Sequence, residues 1–352
     1  MRSTLLAALA LVLCTSACGG EAPKPPCAPG DKPCYLKLTR NHPAKRLATW
    51  KAALDKPAGE RVGPAPAALV ELISYDNLAN NFPNKPKPAS PPPAFVADLR
   101  AAFAEIPEPV KKLLAQRFAG VYFVDDLGGT GFTDMYLDEA GKPAGGFIVL
   151  DPSVLLKHTA NSWATWRDGT PFKPSANDRL EVVIEAIEND NRKNAIQYIL
   201  LHEIAHVIAI GGKFHPNWNL PPADVGSTRG YPFSELSWKI AGSPPRYETI
   251  FDATFPQRRD VAYYFGPKIA GDQMVATYAG LEKTNLVTLY SASHPGDDFA
   301  EAFASYVHVV MMKRPFEIRL YQQGRLAKVY GACWEEPRCA PKRAILESLL
   351  KN

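Results

Sequence analysis

The chain has 352 residues, enough for one large domain or two modest ones, and a net charge of +4 spread along its length. Hydrophobic residues make up 46% and charged residues 22%, the balance of a soluble globular protein. No Lys/Arg run is dense enough for a nucleic-acid footprint, so no nucleic-acid partner is expected.

Met1-Arg2 opens the chain with positive charge, and Leu5 to Leu13 forms an apolar run too short to span a bilayer comfortably. Thr15-Ser16-Ala17-Cys18-Gly19-Gly20 follows. Small residues before this cysteine resemble the lipobox of bacterial lipoproteins, in which the signal peptide is cut before the cysteine and the cysteine is acylated. The resemblance implies a signal peptide over residues 1–17, lipidation at Cys18 and an exported protein held to the envelope membrane, facing the periplasm or the cell exterior. Thr15 stands where that family prefers Leu. The alternative is an ordinary signal peptide cleaved nearby. No later segment reaches about 18 unbroken apolar residues, so no other membrane span is expected.

Export suits the remaining cysteines, Cys27, Cys34, Cys333 and Cys339, because oxidising compartments favour disulfides. Four cysteines allow three connectivities. The local pairs Cys27–Cys34 and Cys333–Cys339 are favoured, each closing a small proline-containing loop. A zinc site built from the four is the alternative, although neither pair has the short spacing of a zinc knuckle or ribbon.

Residues 18–40 read as the acylated cysteine and a tether, rich in Pro, Gly and charge over Glu21 to Lys32. A single domain is expected over 41–352. Its first part, to about residue 118, reads as helical: Pro43 to Asp55, then, after a proline-rich loop over Pro83 to Pro93, the stretch Ala94 to Gly120. There Phe95, Leu99, Phe103, Val110, Leu113, Leu114 and Phe118 recur at helical spacing. A sheet and a long helix are expected over about 119–212. Val121 to Val124 and Gly146 to Asp151 read as strands, with Gly128 to Gly131 a turn that lacks the Lys-Ser/Thr of a phosphate loop. Arg179 to Ile210 reads as one or two helices stopped by Gly211-Gly212. The last part, about 213–352, reads as a mainly helical lobe with a helix over Asp297 to Met312.

The chemistry lies in His202-Glu203-Ile204-Ala205-His206. Two histidines four apart on a helix face the same way, one turn apart, and can hold one cation. Glu203, beside the first, can reach a water on that cation. Zinc lowers the pKa of such a water, and a carboxylate can take its proton as it attacks a carbonyl. Zinc in such a site needs a third protein ligand. The best candidate segment is Tyr290-Ser-Ala-Ser-His-Pro-Gly-Asp297-Asp298-Phe299-Ala300-Glu301-Ala-Phe303, where Asp297 and Glu301 stand one turn apart, opposite Phe299 and Phe303. Either carboxylate could complete the site. His308 reads as a partly buried histidine, His215 as a loop residue near the cleft and His294 as a helix-start residue. Trp163, Trp166, Trp218 and Trp238 read as core or cleft wall.

Taken together, His202-Glu203-x-x-His206 and Asp-Asp-Phe-Ala-Glu-Ala-Phe resemble the zincin metallopeptidases, glutamate-ligand branch. They are most like the group whose second helix reads Glu-x-Phe-Ala-Glu, which contains the catalytic domain of anthrax lethal factor. The resemblance covers about a tenth of the chain. It implies an α+β, zincin-like fold, with a small mixed sheet packed on the motif helix and an edge strand lining the cleft. It also implies one Zn2+ held by His202, His206 and Asp297, with Glu301 orienting an imidazole. Glu203 becomes the catalytic base, and Tyr290 the group that steadies the oxyanion. This chain carries the shorter Asp297 where the family has Glu, and the long spacing from His206 to Asp297 implies an insertion. The expected function is zinc-dependent hydrolysis of peptide bonds in a peptide or protein substrate, by an envelope lipoprotein. The alternative is a non-catalytic binding or scaffold lipoprotein that keeps the fold.

Overall fold

The computed structural model describes residues 26–351 except Pro29 and Phe265. Cys18 and the expected signal peptide lie outside the described residues. The fold is mixed α/β, with twelve α-helices among the described residues and several small sheets. No helix among the described residues is long and apolar enough to cross a membrane.

Ten strands are present among the described residues: β1 (Val62–Pro64), β2 (Lys87–Pro88), β3 (Phe118–Asp125), β4 (Gly131–Leu137), β5 (Pro143–Leu150), β6 (Arg179–Val183), β7 (Trp238–Ala241), β8 (Arg246–Thr249), β9 (Glu317–Gln322) and β10 (Arg325–Gly331). The main sheet runs β1-β3-β5-β4, with β2 pairing antiparallel to β3. β1, β3 and β5 are parallel, and β4 is antiparallel on the edge. β3 and β5 are almost wholly buried, as parallel strands covered on both faces must be, and they are correspondingly rich in Val, Ile and Phe.

One face of this sheet carries the motif helix, Arg192–Ala209. Asn191 caps its start by accepting from the Asn194 N–H (3.0 Å). Only Arg192, Lys193 and His206 keep partial exposure, so the helix is apolar nearly all round because it is buried nearly all round. Gly211, at φ +69°, turns the chain away after it. Gly146 on β5 lets the helix approach closely: a Cβ there would stand 2.6 Å from Ile210 Cδ1.

Several local expectations are corrected. Residues 32–41, expected at the end of a tether, form a helix whose Tyr35 hydroxyl bonds to the Cys27 carbonyl. Phe118 opens β3 rather than extending a helix, since Arg117 already bonds back to Leu114 to close the preceding turn. β4 supplies the edge strand of the expected sheet, but its residues do not read as a strand in sequence, because Gly131 and Asp134 dilute the apolar pattern. Residues 179–183, read as helix, form β6, which pairs with β9. β9 and β10 come from the supposedly helical lobe, so the second sheet draws its strands from both halves of the chain.

Both expected disulfides are present: Cys27–Cys34, with Cα atoms 6.0 Å apart, and Cys333–Cys339, with Cα atoms 5.9 Å apart. All four cysteines are thereby accounted for, and no zinc site is built from them.

Candidate metal centre

The motif helix crosses a second helix, Pro295–Ser305. His294 caps this second helix through Nδ1, which accepts from the Gly296 N–H (3.1 Å), and Pro295 occupies the first helical position. Phe299 and Phe303 enter the core. Asp298 is locked by Lys342 Nζ (2.6 and 2.7 Å) and by the Trp238 indole N–H (3.0 Å). These anchors fix which way the neighbouring Asp297 and Glu301 face. Gly296 lies against the motif helix: a Cβ there would stand 3.3 Å from His294, 3.6 Å from His215 and 3.8 Å from His206.

One nitrogen from each of His202 and His206 and one oxygen of Asp297 lie within 4.8 Å of one another. This His/His/Asp group could hold a metal ion. His202 Nε2 and His206 Nε2 are 3.3 Å apart, and His206 Nε2 lies 3.6 Å from Asp297 Oδ1. Donors about 2.0–2.1 Å from a tetrahedral ion stand roughly 3.4 Å from one another, so these spacings suit a cation at their centre. The tautomer of His202 also fits. Its Nδ1–H donates to Glu301 Oε1 (2.8 Å), which leaves the Nε2 lone pair of the neutral ring facing the group.

Glu301 is fully committed elsewhere. Oε1 also accepts from Arg167 Nη1 (3.1 Å), and Oε2 accepts from Thr288 Oγ1 (2.8 Å). Burial works to raise its pKa, but the Arg167 guanidinium and the His202 bond outweigh it and hold the carboxyl at about 2. Glu301 therefore orients His202, and Asp297 is the acid that joins the two histidines. Burial pushes Asp297 up to about 7.

Arg167 is the largest addition to what the motifs show. It is completely buried, pairs with Asp168 (3.1 Å) as well as Glu301, and its guanidinium lies 4.9, 5.4 and 5.7 Å from the ring centres of Trp163, Tyr198 and Tyr290. Asp168 in turn accepts from the Tyr263 hydroxyl (2.8 Å). A buried chain of charge and hydrogen bonds thus runs from Tyr263 through Asp168, Arg167 and Glu301 to His202. The only trace of it in sequence is a charged pair following Trp163 and Trp166, a pattern that surface helices also show.

Glu203 points to the sheet. Thr133 on β4 donates to Glu203 Oε2 (2.8 Å) and to its backbone oxygen (3.0 Å), so the edge strand holds this carboxylate directly. Burial raises the Glu203 pKa against the opposing pull of His202 and Thr133. Tyr290 stacks on His202, with ring centres 5.4 Å apart and planes 18° apart. Burial raises its hydroxyl well above the ordinary value, so it keeps its proton.

The remaining candidates also find places. His308 is buried, and its Nε2–H donates to the Ile184 carbonyl (2.8 Å). His215 is buried beside the centre, where Nδ1–H donates to the Pro216 carbonyl (2.7 Å). Trp218 packs edge-on against His206 at 5.6 Å, and Trp163 and Trp238 belong to the core.

Compared with known proteins, the chain matches no family model, no curated protein and no solved structure.

Proposed function

We propose that the protein is a zinc-dependent peptidase with a zincin-like site, exported and anchored to the cell envelope by lipid on Cys18. One observation carries the catalytic reading. A His/His/Asp group with a fixed tautomer lies next to Glu203, a buried carboxylate that takes no part in the group and is held beside it by Thr133. Two imidazoles and one carboxylate leave a position open, as catalytic zinc requires, and soft thiolate ligands are absent from the group. A zinc ion there would supply Lewis-acid polarisation and a water of near-neutral pKa.

The protein's own groups would do the rest. Glu203 receives a proton from the attacking water and passes it to the leaving amine. The Tyr290 hydroxyl, which keeps its proton, donates to the oxyanion as the carbonyl becomes tetrahedral. Glu301, held by Arg167 and Thr288, keeps His202 in one tautomer and one orientation throughout. β4 is an edge strand beside Glu203, and an extended peptide can lie along it by adding a strand. A binding protein that only kept the fold would gain nothing from a buried, oriented Glu203.

The test is hydrolysis of internally quenched peptides by the zinc-loaded protein. Activity in the wild type, with loss of about 10²-fold or more in Glu203→Gln at unchanged zinc content, supports the reading. Equal activity in Glu203→Gln would refute it.

A further inference from the structure

Beyond the metal centre, a line of rings runs outward to the surface. Tyr290, stacked on His202, meets Tyr264 edge-on (6.3 Å, 85°). Tyr264 meets Trp166 (5.8 Å), and Trp166 stacks on His158 (5.7 Å, 24°). Trp166 is 37% exposed, the only aromatic side chain among the described residues that is open to this degree. Tyr264 is half-buried and sits at φ +67°, a left-handed backbone that bulky residues seldom adopt. Such strain persists only where the surroundings impose it, and it clusters where a side chain must be presented in one place. The Tyr264 hydroxyl is bonded to Thr130, just before β4 begins. Thr133, which holds Glu203, lies three residues further along the same segment.

We infer that Trp166 and Tyr264 form the wall of a substrate subsite at the start of β4, taking a large apolar or aromatic side chain close to the scissile bond. The inference rests on the peptidase reading, since it needs a peptide lying along β4 across Glu203. Continuity selects the occupant: ring contacts run from Trp166 through Tyr264 and Tyr290 to His202, so a group resting on Trp166 lies two rings from the metal centre. The chemistry selects it too. Sugar-binding faces surround an aromatic ring with free polar groups, whereas here the Tyr264 hydroxyl is already engaged by Thr130, and Trp166 is flanked by the rings of His158 and Tyr264. Offset or edge-on contact with Trp166 and Tyr264 suits Phe, Tyr, Trp or Leu.

The test is isothermal titration of the zinc-loaded full chain carrying Glu203→Gln, which binds without turnover. Hexapeptides would differ only in whether Phe or Ala occupies each position flanking the central bond. At one position Phe is expected to bind about tenfold or more tighter than Ala. That preference is expected to vanish when Trp166→Ala or Tyr264→Gly is added, and to persist with Tyr264→Phe, which keeps the ring. Melting curves establish that each variant is folded; Trp166→Ala, at an exposed position, decides the matter if Tyr264→Gly is not. Equal affinity at every position would overturn the inference, as would a Phe preference untouched by Trp166→Ala, or tighter binding of a saccharide-bearing peptide than of the Phe peptide. A Phe preference without hydrolysis by the wild type removes the peptidase reading alone. Hydrolysis without a Phe preference removes the subsite alone.

Discussion

His202 Nδ1 lies 2.8 Å from Glu301 Oε1, although the two residues are 99 positions apart. The bond turns the other nitrogen of His202 towards His206 and Asp297, and it removes Glu301 from the set of groups free to ligate. The two acids one turn apart on the second helix therefore have different tasks, and their variants should fail differently. In a competition titration with a chromophoric chelator, Asp297→Ala is expected to lose tight zinc binding altogether. Glu301→Gln is expected to keep one zinc with affinity weakened about 10–100-fold. Stronger loss in Glu301→Gln than in Asp297→Ala would reverse the assignment.

Thr133 offers a subtler test, because it touches Glu203 and none of the three donors. Thr133→Val keeps the shape and removes the hydroxyl. Its kcat on a quenched peptide is expected to fall about tenfold, with zinc content unchanged and KM nearly so. An unchanged kcat would mean that Glu203 is oriented without Thr133.

Much of this arrangement was legible in sequence. His202 and His206 are four apart on an apolar helix, and that spacing alone puts them on one face. Pro295-Gly296 marks a helix start, and Phe299 and Phe303 mark its inner side, which leaves Asp297 and Glu301 on its polar side. Between Asp297 and Glu301 the sequence left a choice, since one turn separates them and only the positions of Arg167 and Thr288 decide it. Arg167 and Thr133 were not legible. Their roles arise from contacts 134 and 70 residues away in the chain, and nothing local distinguishes them. The strands were read less well than the helices. β6 has only five residues and runs directly into the segment before the motif helix, while β4 is diluted by Gly131 and Asp134.

The start of the second helix depends on a buried ion pair, and that dependence can be measured. Lys342 and Asp298 are both completely buried, and Asp298 also accepts from the Trp238 N–H. Lys342→Met is expected to destabilise the fold by about 3–5 kcal/mol, because it leaves a buried carboxylate without its cation. Adding Asp298→Asn is expected to recover part of that loss. Denaturant melts of the single and double variants check this, and a Lys342→Met variant as stable as wild type would contradict it.

Acid should weaken the β7–β8 region first at Asp252. Burial works to raise its pKa, but bonds from Arg258 (2.7 Å to each oxygen) and Thr249 outweigh it and hold the carboxyl below its ordinary value. A depressed pKa contributes stability that is fully present above the unfolded value, near 3.9, and is lost as pH falls through the folded value. Asp252→Asn is therefore expected to be less stable than wild type at pH 7, with the gap closing as pH falls below about 4. A gap that stays constant over that range would show that the charge of Asp252 contributes nothing.

The roles proposed for Glu203 and Tyr290 both depend on His202, His206 and Asp297 together holding one zinc ion. The most direct test is the zinc content, by elemental mass spectrometry, of protein stripped with chelator, reloaded and desalted, beside a folded His202→Ala/His206→Ala variant treated in the same way. One zinc per chain in the wild type and essentially none in the variant is the expected result. An empty wild type, or a variant that holds as much zinc, would rule out zinc at these three residues.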